Sequence, residues 1–305
     1  MKVANNALEL IGNTPMVKLN NLADRNGADV YLKLECQNIA GSVKDRAALA
    51  MIEGAEKEGL IKPGETTLLD STSGNTGIGY ALVAALKGYK LVIIMSELAS
   101  KERRALLKAY GAELILVPPS PKGILGDFEV EEKLAKEKGY FPLWQFKNKW
   151  NSYAHRTTTG PEIYEQLDGA PDVFVASVGT GGTFTGVAEY LKEKAPSTYA
   201  VAVEPASSPV LKGGKPGPHK IPGIGSGIIP DILNQEIIDE VFDVTDEQAD
   251  ETMKQLALKE GLFLGPSSGA AAYAAIQIAA RLEPGKKVVA IAPDGGSRYL
   301  SQLEL

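Results

Sequence analysis

Short apolar runs alternate along the chain with longer segments in which apolar residues recur at the helical period. The apolar runs predict strands at residues 30–34, 66–69, 90–95, 112–117, 140–144, 172–178, 199–203 and 287–291. The longer segments predict helices at residues 45–54, 76–86, 100–110, 129–138, 183–194, 246–260 and 267–282. Strands separated by helices pair in parallel through βαβ units, so the pattern predicts an α/β protein with mostly parallel sheets.

Two segments interrupt this alternation. A polar stretch at residues 147–156 lies between two series of strands and helices. Because domains usually hold about 100–200 residues, a chain of 305 residues is expected to form two domains that meet near this stretch. The second segment, residues 207–229, is rich in glycine and proline, which favours either a lid or binding loop or a plain surface excursion.

The composition argues against several classes of protein. With 32 basic and 38 acidic residues the formal net charge is −6, whereas nucleic-acid binding depends on basic patches. The single cysteine, Cys36, leaves no disulfide within the chain, and two histidines do not supply a zinc site of the usual spacing. No apolar stretch reaches the ~18 residues of a membrane span. We therefore expect a cytoplasmic enzyme with no metal, no nucleic-acid partner and no membrane segment.

Glycines are in excess, and several of them follow predicted strands. TSGNTG at residues 72–77 and GTGGT at residues 179–183 each join a strand to a helix. In open α/β sheets ligands bind at this edge, where free backbone N–H groups at a helix N-terminus favour an anion. Neither segment fits the dinucleotide or the P-loop pattern. The first predicts a carboxylate or phosphate site, with helix capping as the alternative, and the second predicts a phosphate site, with tight packing as the alternative.

Lys44 is a candidate catalytic residue. It lies in AGSVKDR, directly before the predicted helix at residues 45–54. A lysine at a helix N-terminus opposes the helix dipole, and both that position and burial favour the neutral amine that Schiff-base chemistry needs. A solvated lysine at a chance position is the alternative, and position alone does not decide between the two.

The motifs together resemble the cysteine synthase (O-acetylserine sulfhydrylase) family of pyridoxal-phosphate enzymes, which has the tryptophan-synthase-β-like fold. The resemblance covers nearly the whole chain. Its motifs, in chain order, are IGNTPMVKL (11–19), GSVKDRAA (41–48), TSGNTG (72–77), GAELILV (111–117), TTGPEI (158–163), GTGGTFTGV (179–187), GPHKIPGIGSG (217–227), SSGAA (267–271) and RYLS (298–301).

This resemblance implies a role for each matching residue. Lys44 would form the internal aldimine with pyridoxal 5′-phosphate and would act as base and acid at Cα. Ser267 would face the pyridine nitrogen, and Asn75 would bond the 3′-oxygen. The phosphate would be held by Gly179, Thr180, Gly181, Gly182 and Thr183. The substrate would contact Thr72, Ser73, Gly74, Asn75, Thr76, Gln145 and Gly225.

The resemblance also implies the arrangement of the domains. Residues 35–146 would form a smaller, mobile domain that carries the substrate loop. Residues 1–34 and 147–305 would form a larger domain that binds the cofactor phosphate. Each would contain a twisted, mostly parallel sheet flanked by helices, as in pyridoxal-phosphate enzymes of fold type II. The implied assembly is a homodimer, and serine acetyltransferase is a further candidate partner.

The implied reaction is a β-replacement that makes L-cysteine from O-acetyl-L-serine and sulfide through an α-aminoacrylate. The alternatives are related reactions of L-cysteine or L-serine derivatives, such as cystathionine formation, desulfhydration of cysteine to hydrogen sulfide, or formation of lanthionine or serine. A protein that keeps the fold without turnover is a third possibility. Two residues stay open: Asp231 either activates water or is a solvated loop acid or helix cap, and Cys36 is either a redox sensor or a buried apolar residue.

Overall fold

The computed structural model describes residues 3–24, 26–72, 74–99, 101–120 and 123–302. Two sheets with helices on their faces confirm the predicted α/β class. The strands are β1 (Met16–Lys18), β2 (Asp29–Leu34), β3 (Thr67–Ser71), β4 (Lys90–Ser96), β5 (Glu113–Val117), β6 (Phe141–Pro142), β7 (Val173–Ser177), β8 (Tyr199–Pro205), β9 (Glu240–Val244) and β10 (Lys287–Ala292). The α-helices are α1 (Lys44–Lys57), α2 (Asn75–Lys87), α3 (Lys101–Ala109), α4 (Ile124–Lys138), α5 (Lys149–Ala154), α6 (Gly160–Gln166), α7 (Gly182–Lys194), α8 (Asp246–Glu260) and α9 (Pro266–Ala279).

The larger sheet has six strands in the order β1-β2-β10-β7-β8-β9. All neighbours in it are parallel except β1, which pairs with β2 in the antiparallel sense. The central strand β10 is buried at every position after its first residue, because helices cover both faces of the sheet. A continuous apolar run such as VVAIA is what such a doubly covered strand requires.

The smaller sheet has four parallel strands in the order β5-β4-β3-β6. All four lie within residues 35–146, whereas every strand of the larger sheet lies outside that range. The mobility of this part of the chain stays a prediction.

Two Ala-rich helices approach their neighbours closely at glycine. A Cβ on Gly269 of α9 would lie 2.2 Å from the carbonyl oxygen of Ala249 on α8. A Cβ on Gly79 of α2 would lie 2.9 Å from the carbonyl oxygen of Lys44 at the start of α1. The absence of a side chain at Gly79 therefore brings α2 against the turn that carries Lys44.

The sequence pattern missed parts of this fold. The edge strands β1 and β9 were not predicted, because both are short and only partly buried. Residues 140–144 yield only the two-residue strand β6. The polar stretch at residues 147–156 is helical, since it contains α5 and the start of a π-helical turn, His155–Thr159, that leads into α6. The segment at residues 207–229 is irregular, as predicted.

None of the helices in the described part of the chain is long and apolar enough to cross a membrane. Among the same residues, no three or more His, Cys, Asp or Glu side chains are placed to hold a metal ion.

Candidate active site

One cavity of about 350 Å³ lies where the carboxyl ends of β3 and β6 of the smaller sheet meet those of β7 and β10 of the larger sheet. Parallel strands bring their following loops to one edge, which explains why segments far apart in sequence meet there. Of the residues that the resemblance singled out, the following line this cavity: Lys44, Thr72, Gly74, Asn75, Thr76, Gln145, Gly179, Thr180, Gly181, Thr183 and Ser267.

Three predicted residues are placed differently. Gly182 does not border the cavity, because it lies against the side chain of Asn151. Gly225 borders a smaller neighbouring cavity, while Ile224 and Ser226 on either side of it border the main one. Ser73 lies outside the described residues.

Lys44 is held at the first position of α1 by the loop that follows β10. The backbone N–H of Val43 donates to the carbonyl of Pro293 at 2.8 Å, and Ser42 forms an isolated bridge with Asp294. Lys44 is partly accessible, and it borders the cavity. Burial lowers the pKa of its amine, although the carboxyl of Asp294 opposes that effect. The site therefore favours the neutral, nucleophilic form of Lys44, as expected for a lysine that binds a carbonyl compound.

The loop after β3 supplies hydroxyl and amide groups. The Thr72 hydroxyl accepts from the backbone N–H of Gly74 at 3.2 Å. Thr76, in the first turn of α2, donates from its hydroxyl to Oε1 of Gln145 at 2.7 Å. Because α2 begins at Asn75, its unpaired backbone N–H groups lie in the same place. This arrangement suits a carboxylate.

The loop between β7 and α7 forms the second predicted anion site. A Cβ on Gly179 would lie 2.2 Å from the carbonyl oxygen of Gly223, and Gly181 has a positive φ of 83°. Only glycine meets both conditions without strain, and no side chain then separates this backbone from the cavity. The loop opens directly into the N-terminus of α7, which is favourable for a phosphate.

Two buried side chains that the sequence analysis did not assign hold this loop. Asn151 of α5 donates from Nδ2 both to the backbone carbonyl of Gln145 at 2.8 Å and to the hydroxyl of Thr180 at 3.0 Å. His155 contacts the Thr183 hydroxyl through Nε2 at 3.2 Å. Burial lowers the pKa of His155 well below its usual value, so this histidine is neutral and acts as a hydrogen-bond partner. Their position in a polar stretch gave no signal of this role.

Asp294 is a third residue that supports the site and that the sequence analysis did not assign. Its Oδ2 accepts from Nδ2 of Asn75 at 2.7 Å and from the hydroxyl of Tyr299 at 2.6 Å. Arg298 donates to Oδ1 of Asn75 at 2.7 Å. Burial raises the pKa of Asp294, against these hydrogen bonds. The contacts fix both ends of the Asn75 amide and leave one hydrogen on Nδ2 for a ligand.

Ser267 borders the cavity, whereas Asp231 and Cys36 do not. Ser267 is buried at the start of α9, where its backbone carbonyl accepts from the Ser177 hydroxyl at 3.1 Å. Asp231 is exposed and does not border the cavity. Cys36 is half-buried, and burial raises the pKa of its thiol. A raised thiol pKa reduces the thiolate fraction, which argues against a reactive cysteine.

The site fits pyridoxal phosphate. A glycine loop at the N-terminus of α7 offers backbone N–H groups suited to a phosphate, and the amine of Lys44 and the polar side chains of Asn75 and Ser267 line the same cavity. The sequence profile of the family described as pyridoxal-phosphate dependent enzyme matches residues 7–294. The chain belongs to this family.

Known members of the family match the chain over almost its entire length. A protein named cysteine synthase from Staphylococcus aureus is 54% identical over 301 residues, which covers 98% of this chain and 96% of the relative. The crystal structure of cysteine synthase from Entamoeba histolytica superposes with a TM-score of 0.93 at 42% identity, covering 98% of this chain and 90% of that one. A hydrogen sulfide-producing enzyme from Fusobacterium nucleatum has a TM-score of 0.93 at 45% identity, covering 98% and 99%.

Proposed function

We propose that this protein is a cysteine synthase, which makes L-cysteine from O-acetyl-L-serine and sulfide. The observation that carries the proposal is the 54% identity to a cysteine synthase across 98% of the chain. The site agrees with it, because the cavity joins a lysine, a carboxylate-binding loop and a phosphate-binding loop. When bound, pyridoxal phosphate acidifies the Cα–H of the amino acid attached to it and accepts electron density during β-substitution.

In this proposal Lys44 moves the proton at Cα. Its lowered pKa provides a neutral amine at Nζ, which accepts the Cα proton before acetate departs from Cβ. Lys44 then returns the proton to Cα after sulfide has added to Cβ. A single group that serves as base and then as acid explains why the site needs no catalytic histidine, and neither His155 nor His219 is among the described residues that line the cavity.

The loop after β3 binds and orients the substrate. Thr72 offers its hydroxyl and Gln145 offers the remaining hydrogen of its amide to the α-carboxylate, beside the unpaired backbone N–H groups at the N-terminus of α2. Fixing the carboxylate points the Cα–H bond toward Lys44. Binding of the substrate therefore also positions the reacting groups for proton transfer. Ser267, which the resemblance assigns to the ring nitrogen, is neutral, so it would not hold that nitrogen protonated as a carboxylate would.

One structural neighbour favours a second function, the release of hydrogen sulfide from L-cysteine. The neighbour from Fusobacterium nucleatum, at 45% identity, is named for hydrogen sulfide production. The same binding groups serve L-cysteine as well as O-acetyl-L-serine, since both lose a proton from Cα and a leaving group from Cβ. For this reaction the sulfur is the leaving group, and either water or a second thiol takes its place.

A direct comparison of the two substrates tests the proposal. Purified protein loaded with pyridoxal phosphate is supplied with O-acetyl-L-serine and sulfide, and L-cysteine is measured; a parallel sample receives L-cysteine alone, and hydrogen sulfide is measured. We expect the first kcat/KM to be the larger. Hydrogen sulfide release with no cysteine formation would show that the protein is a desulfhydrase and not a synthase. An unchanged rate in Asp231→Asn is the expected control, because Asp231 is exposed outside the cavity.

We also propose that the protein works as a homodimer in the cytoplasm and that a smaller domain, residues 35–146, closes over the substrate. The family resemblance supports the dimer and the closure. Sedimentation at several protein concentrations tests the dimer, and cell fractionation tests the location. Serine acetyltransferase as a partner is tested by co-purification of the two proteins with and without O-acetyl-L-serine.

A further inference from the structure

Two buried carboxyl groups lie behind the substrate loop. Asp70 ends β3 and Glu131 lies on α4, and each side chain is about 1% exposed. Both border a separate small cavity of about 20 Å³, together with Gln145. Two acids buried side by side are costly unless they share a proton or bind a cation, so their presence next to a ligand-binding amide calls for a reason.

The contacts connect this pair to the cavity where the substrate binds. Nε2 of Gln145 donates to Oδ1 of Asp70 at 3.0 Å, while Oε1 of Gln145 accepts from Thr76 at 2.7 Å. These two bonds fix the orientation of the amide and leave one hydrogen on Nε2 for a ligand. The backbone N–H of Ser71, at the end of the same strand, donates to Oε2 of Glu131 at 3.3 Å.

One oxygen of each acid is left without a hydrogen bond of good geometry among the described residues, although the Tyr80 hydroxyl lies close enough to Asp70 to stabilise its charged form. Oδ2 of Asp70 and Oε1 of Glu131 are buried without a hydrogen bond to the described residues. A single proton held between them, directly or through one water molecule, satisfies both oxygens. The small cavity has room for about one water. The shared proton leaves Oδ1 of Asp70 as an acceptor for Gln145.

We propose that Asp70 and Glu131 are positioning residues for Gln145, whose side chain they hold where the α-carboxylate of the substrate binds. This rests on the proposed function, which places that carboxylate against Gln145. Neither acid touches the substrate. Their effect is on the affinity for a carboxylate, and it depends on the one proton that the pair retains.

The charges around the pair set the direction of the pH dependence. Burial raises the pKa of both acids, and their mutual repulsion raises that of Glu131 further. Glu132 adds to that repulsion and Lys147 opposes it. Tyr80 on α2 also lies near the pair, and burial with the Asp70 charge keeps its hydroxyl protonated. The pair therefore keeps its proton at neutral pH and loses it in alkali, which places a second negative charge behind the carboxylate site.

Binding of two matched ligands tests the proposal without turnover. L-Alanine has no β-leaving group, and L-alaninamide lacks in addition the carboxylate. The dissociation constant of each is measured from the change in the visible absorption of the cofactor-loaded protein. We expect Asp70→Ala to raise the dissociation constant of L-alanine about tenfold and that of L-alaninamide less than about twofold. Asp70→Asn keeps an acceptor for Gln145 and should restore L-alanine affinity at pH 7.

The pH dependence provides the second measurement. The ratio of the wild-type to the Glu131→Gln dissociation constant for L-alanine should rise roughly fivefold between pH 7 and pH 10, because glutamine cannot ionise. Ionisation of the amino group of the ligand changes both dissociation constants by the same factor, so it does not affect this ratio. Should Asp70→Ala fail to fold, Asp70→Asn and Glu131→Gln still decide the question, because both are isosteric.

Three results would overturn the inference. The first is an equal loss of affinity for both ligands in Asp70→Ala, which indicates general damage to the fold. The second is a ratio of the wild-type to the Glu131→Gln dissociation constant for L-alanine that does not change with pH. The third is wild-type affinity that depends on added sodium or potassium at constant ionic strength, which assigns the small cavity to a cation. None of these depends on cysteine formation, so failure of the proposed reaction would be recognised separately in the wild type.

Discussion

The Nδ2 group of Asn75 donates to Oδ2 of Asp294 at 2.7 Å, although 219 residues separate the two in the chain. The contact joins the first turn of α2, which packs on the smaller sheet, to the loop after β10 of the larger sheet. It fixes which end of the Asn75 amide presents a donor. The orientation of Asn75, which the proposed function assigns to the cofactor ring, thus depends on a carboxyl group in the other half of the molecule.

Replacing this carboxyl is the first test. We expect Asp294→Ala to shift the visible absorption of the bound cofactor and to lower kcat/KM roughly tenfold or more, because the Asn75 amide loses the buried acceptor that orients it. Tyr299→Phe is the matched control: it removes the other donor to Oδ2 and leaves the bond to Asn75 in place. An equal spectral shift in both variants would show that the Asn75 contact has no particular role.

The second prediction concerns Lys44. In Lys44→Ala the general base is absent, so turnover should fall by about 10²–10⁴-fold or more while amino acids still bind. Borohydride should attach the cofactor covalently to the peptide that contains Lys44 in the wild type, which mass spectrometry detects. Lys57→Ala, an exposed change on the same helix, should keep both properties. Covalent attachment at another lysine would refute the assignment.

The sequence anticipated the loops after β3 and β7, because each of these two loops has a local signature. Glycines after a strand, as at Gly179, and hydroxyl residues at a helix start, as at Thr72, are read from a few adjacent letters. The residues that hold these loops carry no such signature. Asn151, His155 and Asp294 act through contacts with distant segments, which only the packing of α5 and β10 brings close.

The third prediction uses the tight contact between α5 and the phosphate loop. A Cβ on Gly182 would lie 2.1 Å from Oδ1 of Asn151, so Gly182→Ala must displace that amide and break its bond to Thr180. We expect cofactor affinity to fall about tenfold or more, measured by equilibrium dialysis against pyridoxal phosphate. Asn151→Ala opens the space, so the double variant should bind no worse than Asn151→Ala alone. Strictly additive losses would contradict this explanation.

The last prediction concerns a buried charge network that joins α1 to α6. Arg46 donates to Glu35 through Nε at 2.7 Å and to Glu162 through NH1 at 2.6 Å, and Lys33 donates to the other oxygen of Glu162 at 2.7 Å. Arg46 and Lys33 are almost completely buried. Although burial opposes ionisation, these cations lower the pKa of Glu162 to about 2.

The stability of the fold should therefore depend on acid pH through Glu162. Since the folded pKa lies below the unfolded value, the contribution is complete above pH 4.5 and is lost as the pH falls toward 2. Allowing for partial exposure of Glu162, we expect it to amount to about 2 kcal/mol. Glu162→Gln should lower the free energy of unfolding at pH 7 by about 2 kcal/mol, because Arg46 and Lys33 lose one carboxylate partner, although Arg46 keeps Glu35 and Lys33 keeps the carbonyl of Thr14. Urea denaturation between pH 3 and pH 7 measures both quantities, and Glu165→Gln, an exposed change on the same helix, should leave them unaltered.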